Sequence, residues 1–113
     1  MSWTELHEGS ATIGTTEYSI VNGSTTPASS TTKLTAQIWL DVNAMELGDE
    51  FAFRLYEKVR SSGTQRLVEE LILTGPQTRN VAFPSVAVGN GWDFRIAKLA
   101  GTDRAIAWSV RQY

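Results

Sequence analysis

Residues 34–42 alternate apolar and polar side chains without interruption. Successive side chains of a β-strand point to opposite faces, so this pattern predicts a strand with one buried face. The residues expected on that buried face are Leu34, Ala36, Ile38, Leu40 and Val42. Trp39 falls on the opposite, polar face.

Short runs rich in β-branched and aromatic residues recur along the chain, and Gly, Ser, Asn, Asp and Pro separate them. No long segment keeps the three-and-four spacing of an amphipathic helix. For 113 residues, this predicts one all-β domain, a single antiparallel β-sandwich of about eight strands with a jelly-roll or immunoglobulin-like arrangement. The predicted strands are 10–13, 17–21, 34–42, 51–60, 66–73, 80–83, 92–99 and 105–111.

Two of these strands carry further core-facing sets. The predicted sets are Trp92, Phe94 and Ile96 in one strand, and Ile106, Trp108 and Val110 in the other.

Two tight hairpins are predicted from turn residues. A loop at 61–63 ending in glycine suits a three-residue hairpin. Its register sets Phe51 opposite Leu73, Phe53 opposite Leu71, Arg54 opposite Glu70 and, unfavourably, Lys58 opposite Arg66. A second hairpin is expected at 101–103, joining strands 92–99 and 105–111.

Two polar segments are predicted to be flexible. Seven of the twelve residues at 22–33 are Ser or Thr, and none is a large hydrophobe. Such a segment buries too little apolar surface to offset the entropy of ordering, so we expect an exposed loop. The alternative is an arm that orders against a neighbouring subunit. Residues 1–9 are expected to form a flexible N-terminal arm.

Composition excludes several classes of protein. The net charge of −2 and the 19 % of charged residues give no electrostatic reason to expect nucleic acid or an anionic membrane as a partner. The chain has no cysteine, which excludes disulfides and thiolate metal sites. The first residues lack the basic start and apolar run of a signal peptide. No apolar stretch approaches the roughly 20 residues of a membrane-spanning helix.

No catalytic constellation is recognisable. His7 is the only histidine, lies in a polar segment and is expected to be a surface residue. Glu69 and Glu70 are adjacent on a strand, so their carboxylates point to opposite faces and cannot share a site. Asp49 and Glu50 follow Gly48 in a predicted turn, where polar residues are common, so they need no catalytic explanation.

Two ligand-binding patterns begin and then fail. Asp41 and Asn43 start like a calcium loop, but Met45 stands where the next oxygen ligand belongs. The glycines at 89–91 start like a dinucleotide fingerprint, but Phe94 replaces the third glycine. We therefore predict no enzyme activity, no cofactor and no metal site.

Exposed aromatic residues are the candidates for contact with a partner. Four tryptophans are many for this length, and Trp3 and Trp39 fall outside the predicted core. Their partner is expected to be a protein or a sugar ring, and the alternative for Trp39 is a second core on the other side of the sheet. The candidate interface residues are Trp3, Trp39, Tyr56 and Tyr113.

Tyr56 belongs to a basic strand face with Arg54, Lys58 and Arg60. This face is predicted either to lie along nucleic acid or, with more weight, to be a solvated face neutralised by Glu69 and Glu70.

Four segments of the chain, at 38–51, 55–66, 91–94 and 100–111, contain distinctive runs. The last two read Gly-Trp-Asp-Phe and Ala-Gly-Thr-Asp-Arg-Ala-Ile-Ala-Trp-Ser-Val-Arg. Together the segments resemble a family of small all-β structural proteins of tailed bacteriophages and marine viruses. The resemblance covers roughly residue 16 onward. It departs at Asn90, where a histidine is expected, and this weakens any idea of a histidine-based site there.

The resemblance implies a virion component, made in the host cytoplasm and without catalytic residues. The expected role is a capsid decoration or cement subunit that binds the assembled shell in many copies. Its partners would be the major capsid protein or other virion proteins, with homo-oligomers in the particle. The alternative is a carbohydrate-binding module of the tail or a tail fibre, with Trp39 stacking on a sugar.

Overall fold

The structure is a computed structural model that describes residues 3–112. In that range the chain forms eight strands and no helix, which confirms the all-β prediction. The strands are β1 (Thr4–Ile13), β2 (Tyr18–Ser19), β3 (Leu34–Asp41), β4 (Glu50–Glu57), β5 (Arg66–Thr74), β6 (Val81–Val88), β7 (Asp93–Ala100) and β8 (Arg104–Gln112). Residues 3–112 contain no helix that is long and apolar enough to cross a membrane.

The strands form two antiparallel sheets that pack face to face. Sheet I has the order β1-β8-β3-β6, and sheet II has the order β2-β7-β4-β5. This interleaved order of eight strands is the jelly-roll arrangement, one of the two expected. An immunoglobulin sandwich instead pairs its first two strands in one sheet.

Most connections cross from one sheet to the other, and this corrects the second predicted hairpin. β7 lies in sheet II and β8 in sheet I, so the turn at 101–103 bridges the sheets. Both strands bury one face in the same core, and a glycine turn suits either geometry. Sequence pattern alone does not separate the two cases.

The first predicted hairpin, β4–β5, is confirmed with its register. Phe51 lies opposite Leu73 and Arg54 opposite Glu70. A β-bulge then skips Val68, and Glu57 rather than Lys58 faces Arg66. The bulge shifts the register by one residue, so the expected repulsion between Lys58 and Arg66 is replaced by a pair of opposite charges, Glu57 and Arg66.

The core lies between the sheets and contains the predicted faces. Four of the five residues predicted from 34–42 are at most 1 % exposed, and Leu34 is half-buried. Trp92, Phe94, Ile96, Ile106 and Val110 are fully buried, and Trp108 is 8 % exposed. Phe83 packs edge-on against Phe94 with ring centroids 5.0 Å apart.

The predicted N-terminal arm is wrong for residues 4–9, which belong to β1 and pair with β8. The segment looks disordered in sequence because β1 is an edge strand with mostly exposed side chains. Main-chain hydrogen bonds hold it, and Gly9 lies against the indole of Trp108. Residues 1 and 2 lie outside the described residues.

The Ser/Thr-rich segment 22–33 contains no strand, only isolated bridges. It does not project as an arm. Ser30 exchanges two main-chain hydrogen bonds of 2.9 Å with Trp92, and the Ala28 amide donates to Asp93 at 2.9 Å. Polar contacts rather than apolar burial hold this loop, so composition gives no sign of them.

Candidate functional site

The Gly-Trp-Asp segment serves the fold. The Asp93 carboxylate is fully buried and accepts hydrogen bonds from the Ser19 hydroxyl (2.6 Å), the Ala28 and Phe94 amides (2.9 Å each) and the Arg95 Nε (2.7 Å). Gly91 has φ of +134°, and a Cβ there would lie 2.7 Å from the Ser29 Oγ. These residues fasten the 22–33 loop to the outer side of β7.

The Gly-Thr-Asp-Arg segment builds a second buried carboxylate cluster, at the turn between the sheets. Asp49 accepts hydrogen bonds from the Thr102 amide (3.0 Å), the Glu46 amide (2.8 Å) and the Arg104 Nε (2.7 Å). These bonds, the Thr102 amide first, lower the pKa of Asp49 to about 2. Gly101 has φ of +91°, and a Cβ there would overlap Asp49. The distinctive residues of both segments are thus occupied in folding.

The predicted basic face is formed only in part, on the outer side of sheet II. β4 ends at Glu57, so Lys58 and Arg60 lie beyond the strand, and the arginine that remains on the face, Arg54, is paired with carboxylates. The Arg54 guanidinium bridges Glu17 (2.8 Å) and Glu70 (2.7 Å). Glu70 is a predicted partner, whereas Glu17 comes from the segment before β2 and was not anticipated. Burial alone would raise the pKa of Glu17, but hydrogen bonds from Tyr56 and Arg54 outweigh it and lower that pKa.

Tyr56, one of the candidate interface residues, is part of this charge network. Its hydroxyl donates to Glu17 at 2.7 Å, and the Arg95 guanidinium lies over its ring at 4.0 Å. Burial, followed by the hydrogen bond to Glu17, raises the pKa of Tyr56. Both its ring face and its hydroxyl are therefore engaged within the chain.

Trp3 and Trp39 meet on the outer side of sheet I. The Arg111 guanidinium lies 4.6 Å from the ring centroid of each tryptophan. The Trp39 Nε1 donates to the Gln37 Oε1 at 2.8 Å, and Trp39 is half-buried whereas Trp3 is 48 % exposed. Sequence reasoning missed Arg111, because the cluster is brought together by two separate strands, β3 and β8, and by the residue that precedes β1. Tyr113 lies outside the described residues.

A hollow of about 210 Å³ opens beside this cluster. Its sides include Trp39, Asp41, Asn80, Ala107, Ser109 and Arg111. Trp39, a predicted interface residue, thus borders a concave surface that also has several polar groups.

A carboxylate pair lies near this hollow, on β1. A bulge between Glu5 and His7 brings Glu5 opposite Arg111 and Glu8 opposite Ser109. Glu5 is hydrogen-bonded to Ser109. A hydrogen bond between the two carboxyl groups lowers the pKa of Glu5 and raises that of Glu8. His7, expected at the surface, is half-buried opposite Val110, and burial lowers its pKa.

Exposed apolar side chains gather on β5, the outer strand of sheet II. Leu67, Val68 and Ile72, here called the β5 strip, are 48 %, 55 % and 47 % exposed. Beside the strip, a depression of about 270 Å³ between β5 and β6 has Leu71, Phe83 and Pro84 in its wall, together with the carboxylates of Glu69 and Glu70. An apolar surface therefore lies at this open side of the sandwich.

No group of three or more histidine and carboxylate side chains within residues 3–112 is placed to hold a metal ion. Comparison with protein families, curated proteins and solved structures finds no match to the chain.

Proposed function

We propose that this protein is a structural component of a tailed-bacteriophage particle. Its role is that of a decoration or cement subunit, bound in many copies to the assembled capsid. The proposal is supported by the resemblance of the segments at 91–94 and 100–111 to phage structural proteins. Jelly rolls occur in viral capsids, but also in lectins and other proteins, so the fold alone does not decide the function.

The β5 strip is the structural observation that carries the proposal. Three large apolar side chains are exposed on one edge strand. An isolated domain leaves them in water, whereas burying them against a partner would be favourable. β5 has nine residues, about 30 Å of strand. That length suits a linear contact with a neighbouring protein.

The main chain of β5 adds to this surface. An edge strand presents unpaired N–H and C=O groups that accept a further strand. Pro84 protects the neighbouring edge strand β6, because proline has no N–H to donate. β5 contains no proline, and its β-bulge at Val68 leaves residues 69–74 as the regular stretch of edge that a further strand could pair with. The charged residues Arg66 and Glu69 lie at or beside the strip and supply the polar rim typical of protein interfaces.

A shell turns a modest contact into stable attachment. Symmetric repetition offers the same docking surface many times, and a homo-oligomer engages several of these surfaces at once. The partner in this proposal is the major capsid protein, and the β5 strip is the contact surface.

Copy number in the particle tests this role directly. Quantitative mass spectrometry of purified particles would compare this protein with the major capsid protein. Copies on the order of hundreds are expected for a shell subunit. A handful of copies would contradict the decoration role and favour the tail, and absence from the particle would refute a structural role.

The contact surface is tested with two matched variants. Ile72→Asp places a charge on the β5 strip, whereas Leu47→Asp places one at an 89 % exposed leucine in the turn before β4. Both purified variants would be mixed with shells that lack the protein, and the bound fraction would be measured after sedimentation. We expect Ile72→Asp to bind at least tenfold more weakly and Leu47→Asp to bind like the unmodified protein. Equal binding of all three proteins would exclude the β5 strip.

A further inference from the structure

The hollow on the outer side of sheet I has a floor of small residues between larger side chains. Ala107 on β8 lies opposite Asp41 on β3 and opposite Ser10 on β1. Further along, Trp39 lies opposite Ser109. The short side chain at 107 leaves the space, and the Trp39 indole rises at its side.

The indole of Trp39 is held in place before any ligand arrives. Its Nε1 donates to Gln37 at 2.8 Å, and the Arg111 guanidinium covers one of its two ring faces at 4.6 Å, while the indole also borders the hollow. A fixed aromatic ring loses little conformational entropy on binding. An aromatic surface of this kind packs well against a ring molecule that presents C–H groups on its face and polar groups at its edge.

The polar groups around the hollow are of mixed type. Asp41 is an acceptor, and one of its oxygens already takes the Asn43 amide at 3.1 Å. Arg111 is a donor, and its Nε is bonded to the Ser109 hydroxyl at 3.2 Å. Asn80 offers both a donor and an acceptor, and no residue in the described range 3–112 is hydrogen-bonded to its side chain. Hydroxyl groups, which both donate and accept, match this mixture.

The size of the hollow limits the ligand to one ring. Its volume of about 210 Å³ is below the roughly 300–1,000 Å³ of pockets that enclose drug-sized molecules. The carboxylates of Asp41 and Glu5 nearby disfavour a phosphate backbone. We propose that the hollow binds a single sugar ring of a glycan, with its apolar face against Trp39 and its hydroxyls on Asp41, Asn80 and Arg111.

Binding of a sugar at the hollow is a separate activity from attachment to a capsid shell and does not depend on that attachment. One shallow site gives weak affinity, with a dissociation constant on the order of 1 mM. In a particle with many copies, such sites act together and hold a glycan-coated surface far more tightly than one site does.

The test is a titration of the isotope-labelled full chain with single sugars, followed by NMR. The probes are glucose, galactose, mannose and N-acetylglucosamine, each raised through the millimolar range. We expect at least one sugar to shift the Trp39 indole N–H, the Asn80 side-chain amide and the Ala107 amide together. No shift with any of the four sugars, or shifts confined to other surfaces, would overturn the proposal.

Two substitutions and a control locate the site. Ala107→Leu fills the floor, and Ala105→Leu adds the same side chain to the same face of β8, outside the hollow. Asn80→Ala removes an exposed amide and does not depend on repacking the strand. We expect Ala107→Leu and Asn80→Ala to weaken binding at least tenfold and Ala105→Leu to leave it unchanged. Undiminished binding by Asn80→Ala and by folded Ala107→Leu would refute the site.

Discussion

Asp93→Asn is the substitution that most directly tests how the Ser/Thr-rich loop is held. Four donors converge on the two oxygens of a fully buried carboxylate. An asparagine of the same shape would turn an N–H₂ group toward two of those donors. It would also remove the charge of the nearer of the two carboxylates paired with Arg95, since Nε of Arg95 lies 2.7 Å from Asp93 whereas its Nη1 lies 3.7 Å from Glu17.

Removing one partner of a buried ion pair lowers the free energy of unfolding by about 3–5 kcal/mol. For a domain of this size, such a loss lowers Tm by more than about 10 °C. Urea unfolding followed by tryptophan fluorescence would give the free energy of unfolding. Amide hydrogen exchange at Ala28 would show whether the loop opens first, since that amide donates to Asp93.

Asp103→Asn is the matched control. Asp103 is also an aspartate that follows a glycine turn, but its side chain is 53 % exposed and pairs with Lys98. Exposed pairs of this kind contribute about 0–1 kcal/mol. If Asp93→Asn cost no more than Asp103→Asn, and Ala28 exchanged no faster, the buried carboxylate would not be what holds the loop.

Three further predictions concern the fold. Gly101→Ala should lower the free energy of unfolding by more than about 2 kcal/mol in the same urea assay, because φ is +91° and the new Cβ meets Asp49. Gly23→Ala, at φ +70° with open space around it, should lower it by about 1 kcal/mol, and equal losses would contradict this reasoning. The pKa of Asp49 is depressed from 3.8 to about 2 in the folded protein, so this carboxylate stabilises the fold fully above pH 3.8 and progressively less as the pH falls toward 2. The urea midpoint should therefore fall over this pH interval in the unmodified protein, and Asp49→Asn should lack that part of the decrease. Deletion of residues 1–9 should lower Tm, because it unpairs the first half of β1 from β8; an unchanged Tm would mean that this pairing contributes nothing.

Local patterns in the sequence predicted the buried faces well. The alternation at 34–42 required only that one side of β3 be buried, and the structure buries that side. The β4–β5 register also followed from neighbours in sequence, because apolar and charged pairs matched across a short turn. Such information lies within one strand or one hairpin.

The choice of sheet for each strand was not predictable from the same patterns. β7 and β8 are joined by three residues yet belong to different sheets. Asp49, far away in sequence, stabilises that turn through Thr102 and Arg104. Residues 4–9 look like an arm because their pairing with β8 uses main-chain groups, which are the same in every sequence.

The candidate site was predicted only in part. An outward-facing tryptophan at position 39 was visible from the strand period. The stacking of Arg111 between Trp3 and Trp39 was not, because it depends on the lateral order of β1, β8 and β3. The hollow over Ala107 has the same origin, since its sides come from separate strands.

The position of β8 in sheet I has a consequence for biosynthesis. β8 lies between β1 and β3, yet it is the last of the eight strands to leave the ribosome. Until it emerges, β1 has no partner in its sheet, and β3 lacks one of its two neighbours. The domain therefore completes its fold only after residue 112 has been translated, and pairing between strands so far apart in sequence makes that step slow. A nascent chain stalled before β8 would expose core-facing side chains and unpaired strand edges, and both promote aggregation.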